Sequence, residues 1–104
     1  MFQEHRFSDK IWAMDDVAKL IVFSGQVQGV GFRFTALNVA NSYRLTGYVR
    51  NLPRGRVEML TQGPAETIDS CIRDLQDSFA GYIRDTDVKN VAVDPNLRDF
   101  KITF

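Results

Sequence analysis

Residues 25 to 33 read Gly-Gln-Val-Gln-Gly-Val-Gly-Phe-Arg. Glycines at 25, 29 and 31 let the chain turn back on itself, so that the N–H groups from Gln26 through Phe32 can converge on one point. Arg33 adds a permanently charged, planar fork that matches two oxygens of a phosphate. Leu20-Ile21-Val22-Phe23 before the loop has strand character, and the pattern after Arg33 is helical. A strand, a glycine-bearing loop and a helix N-terminus together hold anions in many proteins. The same residues also suit an ordinary strand-to-helix turn followed by a solvated arginine, and spacing alone leaves both readings open.

Several other chemistries are excluded. The loop does not end in Gly-Lys-Ser/Thr, so it is not a Walker phosphate loop. Its glycine spacing does not reproduce the Gly-x-Gly-x-x-Gly dinucleotide pattern. It holds no cysteine or other nucleophile for a covalent phosphoryl intermediate. The single histidine, His5, lies near the N-terminus, which disfavours histidine acid–base work. The single cysteine, Cys71, has no partner for an internal disulfide and flanks an apolar helical stripe, so it is expected to be a core residue. Without a Cys/His cluster, no metal and no cofactor are expected.

The elements that must position the loop follow from periodicity. Lys19 to Ser24 reads as a first strand, and residues 32 to 43 as a helix with Phe32, Ala36, Val39, Ala40 and Tyr43 on one stripe. Leu45 to Asn51 and Gly55 to Gln62 read as strands joined by Asn-Leu-Pro-Arg-Gly, a tight antiparallel connection. Pro64 opens a second helix at its first position, with Ile68, Ile72, Leu75 and Phe79 recurring on one face. Ile83 to Val93 forms a fourth strand with Val91 and Val93 on one face, and Phe100, Ile102 and Phe104 alternate in a last one. The order βαββαβ, plus a short C-terminal fifth strand, predicts a ferredoxin-like α+β sandwich with two helices on one face of an antiparallel sheet. Residues 1 to 17 are an extension, in which Phe7, Ile11 and Met14 suit a short amphipathic helix opened by Ser8 or Asp9. The domain proper is expected at 18 to 104.

Composition narrows the function classes. The 104 residues suffice for one modest core, and 44% hydrophobic and 25% charged residues are ordinary for a globular chain. A formal net charge of zero disfavours general nucleic-acid binding, which needs a basic surplus. An RNA-recognition module shares the strand–helix order, but it needs exposed aromatics on its central strands, and Gly-Arg-Val-Glu-Met-Leu-Thr-Gln has none. No apolar run is long enough to span a membrane, and the N-terminus lacks the apolar core of a secretory signal. A cytoplasmic monomer is expected.

Two segments closely resemble the signature segments of the acylphosphatase family, small enzymes that hydrolyse carboxyl–phosphate mixed anhydrides. Residues 25 to 33 match Gly-x-Val-Gln-Gly-Val-x-Phe-Arg. Residues 47 to 63 match a second pattern: Gly, an aromatic, Val, a basic residue and Asn, then three residues, Gly-x-Val, five residues and Gly. The likeness runs from about residue 19 to the C-terminus. It implies a ferredoxin-like fold, a small acyl phosphate as substrate and a metal-independent hydrolysis. It assigns phosphate binding to Arg33 and to a cradle of Gln26, Val27, Gln28, Gly29, Val30 and Gly31, and positioning of the attacking water to Asn51. Gln26 departs from the arginine of many members, removing one nearby charge. Arg44 departs from a helix-ending glycine and, if φ is positive there, costs about 1 kcal/mol. Phe23 replaces an aliphatic residue. The rival reading is a domain of the same type that holds phosphate or a partner without turning it over.

Overall fold

The computed structural model describes residues 16–104, so the expected helix through Phe7, Ile11 and Met14 lies outside the described residues. The elements are β1 (Asp16–Gly25), α1 (Phe32–Ser42), β2 (Thr46–Asn51), a short 3-10 turn (Pro53–Gly55), β3 (Val57–Pro64), α2 (Ala65–Ser78), β4 (Ile83–Val91) and β5 (Phe100–Ile102). They build one sheet in the order β4-β1-β3-β2-β5. Asp16 and Val17, read from the sequence as the end of the extension, already belong to β1.

Strand alternation decides which residues meet the helices. Ile21 and Phe23 of β1 lie opposite Met59 and Val57 of β3. Val49 and Asn51 of β2 lie opposite the same two residues of β3. Ile21, Phe23, Met59, Val57 and Val49 are fully buried, and on the helix-covered face they form the floor of the core. Successive side chains point to opposite faces, so Asn51 shares this face while Arg50 takes the other. Phe32, Ala36 and Ala40 recur every four residues and are the buried stripe of α1. Ile68, Cys71, Ile72 and Leu75 are the buried stripe of α2. The Phe32 ring sits between Phe23 and Phe79, with ring centroids 4.8 and 4.6 Å away.

The four strands of the βαββαβ order pair antiparallel as expected, and the added fifth strand makes the sheet mixed. β5 runs parallel to β2, while the other three pairings are antiparallel. The chain leaves β4 at one edge and reaches β5 at the other, and that crossing reverses its direction. The crossing segment is pinned to β3 by the side-chain amide of Gln62, which donates to the Asp94 carbonyl at 2.9 Å and accepts from the Asp94 N–H at 2.8 Å. Four boundaries also move. β3 starts at Val57 because the Pro53–Gly55 turn occupies the start of the expected strand. Pro64 ends β3 with an extended ψ of 139°, so it flanks α2 instead of opening it. Val93 lies beyond β4, whose pairing stops at Val91. Phe104 lies beyond β5 and is 97% exposed, so it packs into no core. Among the described residues, no helix is long and apolar enough to cross a membrane.

Arg44 ends α1 with φ of 59°, the left-handed conformation in which glycine is easiest and a Cβ is strained. Its neighbour Leu45 is buried, and the Leu45 N–H donates to the Ala40 carbonyl at 3.0 Å, so the turn is held. Arg44→Gly should therefore raise stability by about 1 kcal/mol. Urea unfolding of both proteins tests this; a loss of stability would show that the Arg44 side chain contributes more than its backbone costs.

Candidate active site

The loop between β1 and α1 owes its shape to two glycines. A Cβ on Gly25, where φ is 127°, would collide with the Tyr82 carbonyl at the start of β4. This close approach lets the next residue, Gln26, donate its N–H to that carbonyl at 2.8 Å. Gly31 takes φ of 81° and ψ of 18° as the residue that caps α1, and it turns the chain into the helix. No side chain caps this helix end and no acidic residue stands in its first turn. The first intrahelical bond runs from Thr35 N–H to the Gly31 carbonyl at 3.0 Å. The N–H groups of Phe32, Arg33 and Phe34 precede it, at the positive end of the helix dipole.

A cleft of about 250 Å³ opens at this point, lined by Val27, Gln28, Gly29, Gly31, Phe32, Arg33, Phe34, Asn51, Ile102 and Phe104. Six of the eight sequence-predicted site residues are therefore together: Val27, Gln28, Gly29, Gly31, Arg33 and Asn51. Gln26 and Val30 do not line it. The Gln26 amide is committed to Tyr82, whereas the amides from Val27 to Gly31 have no carbonyl partner among the described residues. Unpaired N–H groups beside a guanidinium are chemically suited to an anion.

Asn51 reaches the cleft from the far end of β2. Its Oδ1 is buried and has no hydrogen-bond partner among the described residues. An enclosed acceptor left unpaired costs about 1–3 kcal/mol, so a hydrogen-bond donor such as water suits this position. Asn51 ends β2 and Arg33 stands in the first turn of α1, yet topology brings both to one end of the sheet. β1 and β2 run in the same direction with β3 between them, so the ends of both strands face the same way.

Three features of the site were not visible in the sequence. The first is the role of the Gln28 side chain, whose Nε2 donates to the carbonyls of Leu52 and Arg56, both at 2.8 Å. These two bonds clamp the loop to the turn that follows Asn51. The second is the wall made by Ile102 and Phe104, which follows from the parallel pairing of Ile102 with Val49. The third is the Arg33 guanidinium, 5.4 Å from the centre of the Phe104 ring, an attraction of a cation to an aromatic face. The alternation of Phe100, Ile102 and Phe104 was the available signal for the wall, but it reads equally well as core.

The neighbouring charges are engaged elsewhere. Arg50, on the opposite face of β2, pairs with Glu58 at 2.7 Å, and Tyr48 donates to the same carboxylate at 3.0 Å. Burial, then the bond to Glu58, raises the Tyr48 hydroxyl above its ordinary pKa. Cys71 is fully buried on α2, and burial pushes its thiol up to about 12, which makes it a core residue and not a nucleophile.

A family model described as Acylphosphatase matches residues 19–102. The chain belongs to the acylphosphatase family. It is 40% identical over 83 residues to an acylphosphatase of Chlorobaculum tepidum, covering 79% of this chain and 90% of that relative. It is 42% identical over 73 residues to an acylphosphatase of Methanospirillum hungatei, covering 70% of this chain and 77% of that one. The crystal structure of acylphosphatase from Bacillus subtilis matches with a TM-score of 0.78 at 30% identity, covering 85% of this chain and 99% of its own. Both the family and the sandwich expected from the sequence therefore stand, with β5 added in parallel at one edge.

In this acylphosphatase fold the Gln28 clamp joins the two halves of the site. Gln28→Leu keeps the bulk but leaves the Leu52 carbonyl without a donor and the Arg56 carbonyl with only the Leu52 N–H, and stability should fall by about 1–2 kcal/mol. Gln28→Glu, which sets a carboxylate against both carbonyls, should do worse. Urea unfolding measures both, and a Gln28→Leu protein as stable as wild type would remove the clamp.

Proposed function

We propose that the chain hydrolyses the carboxyl–phosphate bond of small acyl phosphates, giving a carboxylate and inorganic phosphate. The observation that carries this reading is the meeting of Arg33, unpaired loop amides and the unpartnered Asn51 Oδ1 in one cleft. The family membership supports the same reaction class.

The chemistry needs few groups. The phosphoryl group is held by the Arg33 fork and the amides of Val27 to Gly31, which also stabilise the charge on its equatorial oxygens. Asn51 accepts a hydrogen bond from a water through Oδ1 and sets it in line with the bond to be broken. The water oxygen bonds to phosphorus, the bridging P–O bond breaks, and its electron pair leaves with the carboxylate. That leaving group is already a stable anion, so no general acid is needed. The proton released by water passes to a phosphate oxygen. A neutral amide suits Asn51's task better than a carboxylate, which would repel the phosphate dianion. Arg33 supplies the positive charge, so the reaction is expected to run in the presence of a strong chelator. The bland reading of Asn51 is that it ends a strand before the Leu52-Pro53 turn, a common place for asparagine. Its unpaired acceptor favours the water.

Two substitutions separate the roles, with benzoyl phosphate as substrate. Arg33→Lys keeps the charge but loses the fork, and like Arg33→Ala it should lose about 3–4 kcal/mol of transition-state stabilisation and bind inorganic phosphate weakly. Retention of most activity by Arg33→Lys would make Arg33 a general positive charge only.

Asn51→Ala should lower kcat by about two orders of magnitude while competitive inhibition by phosphate changes little. Wild-type kcat from a folded Asn51→Ala sample, its Tm measured on the same preparation, would strike Asn51 from the mechanism and leave it a turn residue.

A further inference from the structure

A second depression, about 360 Å³, lies at the same end of the sheet and is lined by Ser24, Gly25, Arg54, Arg56 and Arg84. None of these residues lines the first cleft, but they stand on the same connectors. Ser24 and Gly25 run directly into the loop of residues 26 to 31, and Arg54 and Arg56 follow Asn51 in the β2–β3 turn. The Arg56 carbonyl receives the Gln28 clamp at 2.8 Å. Arg84 enters from β4, next to Ile83, which lies opposite Gly25.

The three guanidiniums have little to neutralise them. Arg84 meets Asp85 at 3.3 Å, but both side chains are more than two-thirds exposed, 73% and 71%, so water screens the pair. The Arg56 Nε donates to the Pro53 carbonyl at 3.3 Å, which satisfies a donor and leaves the charge. Arg54 makes no ion pair or hydrogen bond among the described residues. Its backbone is left-handed, with φ of 68° and ψ of 31°, a conformation that asparagine and aspartate tolerate better than arginine. Asparagine or aspartate there would relieve both the backbone and the crowding of like charges. In a chain of zero net charge, three arginines around one hollow beside a phosphoryl site make a receptor for a second anion.

We propose that Arg54, Arg56 and Arg84 form a subsite for an anionic group carried on the acyl part of the substrate. The enzyme then favours acyl phosphates with a remote carboxylate or phosphate over those with an apolar tail. This assignment rests on the acyl phosphate reading above. The phosphoryl group occupies the cleft of Arg33 while the tail crosses the joined loop and turn to the arginines.

Hexanoyl phosphate and adipoyl phosphate test it, because they have equal chain length and differ by the terminal carboxylate. At low ionic strength the wild-type protein should show about fivefold higher kcat/KM for adipoyl phosphate, mostly through KM, and added salt should shrink the gap. In the double variant Arg54→Gln, Arg84→Gln the gap should close while the rate on hexanoyl phosphate stays within about twofold of wild type. Equal wild-type rates on the two substrates, a preference that survives the double substitution, or an equal fall on both would each overturn the subsite. A wild-type protein that hydrolyses neither overturns the acyl phosphate reading and the subsite with it. The hexanoyl arm alone reveals that failure, so the two are told apart.

Discussion

The side-chain amide of Gln28 lies between two backbone carbonyls of the β2–β3 turn, and most of what the site can do depends on those two bonds. The receptor loop hangs from β1 and the Asn51 end hangs from β2, and β3 separates the two strands in the sheet. Without a link, each connector would fluctuate on its own, and an attack geometry needs both. The clamp supplies that link using a neutral donor with two N–H groups, the number the two carbonyls call for. A lysine would add an unneeded charge, and a serine could donate only once. The Gly25 approach to Tyr82 anchors the other side of the same loop to β4. Three strands therefore hold a loop that has no regular structure of its own.

Charge is distributed with the same economy. The chain is neutral overall, yet Arg33, Arg54, Arg56 and Arg84 gather at one end of the sheet. Apart from the exposed Asp85 beside Arg84, the paired carboxylates lie on other surfaces: Glu58 is held by Arg50 and Tyr48 on the open face, Asp74 accepts from Tyr43 between the helices, and Asp69 meets Lys19. These pairs are partly or largely exposed and add little to stability.

Much of this was legible in the sequence, and the reasons differ by feature. The helix stripes through Ala36 and Ala40, and through Ile68, Cys71 and Leu75, could be read because burial follows helical period closely. The receptor loop could be read because glycines at 29 and 31 have few other uses before a helix. The direction of β5 could not, since alternation at Phe100 and Ile102 is the same for parallel and antiparallel pairing. The fate of Phe104 could not either, because hydrophobicity does not say whether a ring joins a core or stands beside an arginine. Gln28 was legible as a loop residue and, through the family resemblance, as part of the expected cradle, but not as a clamp. Its part as a clamp depends on a turn that lies more than twenty residues further along, and local spacing holds no record of it. The start of β3 was misread because Arg54 and Gly55 both take positive φ, which makes a longer turn than the sequence suggested.

The crossing from β4 to β5 also has a consequence in time. Ala18 pairs with Val91 and Gly47 with Phe100, each more than half the chain length apart. Contacts so distant in sequence require large loops to close before they contribute, which slows the search for the native state. The loop of residues 26 to 31, α1 and Asn51 are all synthesised about fifty residues before Ile102 and Phe104. A nascent chain thus carries its arginine and its asparagine long before it has a wall to enclose them. The cleft is enclosed only when β5 docks against β2.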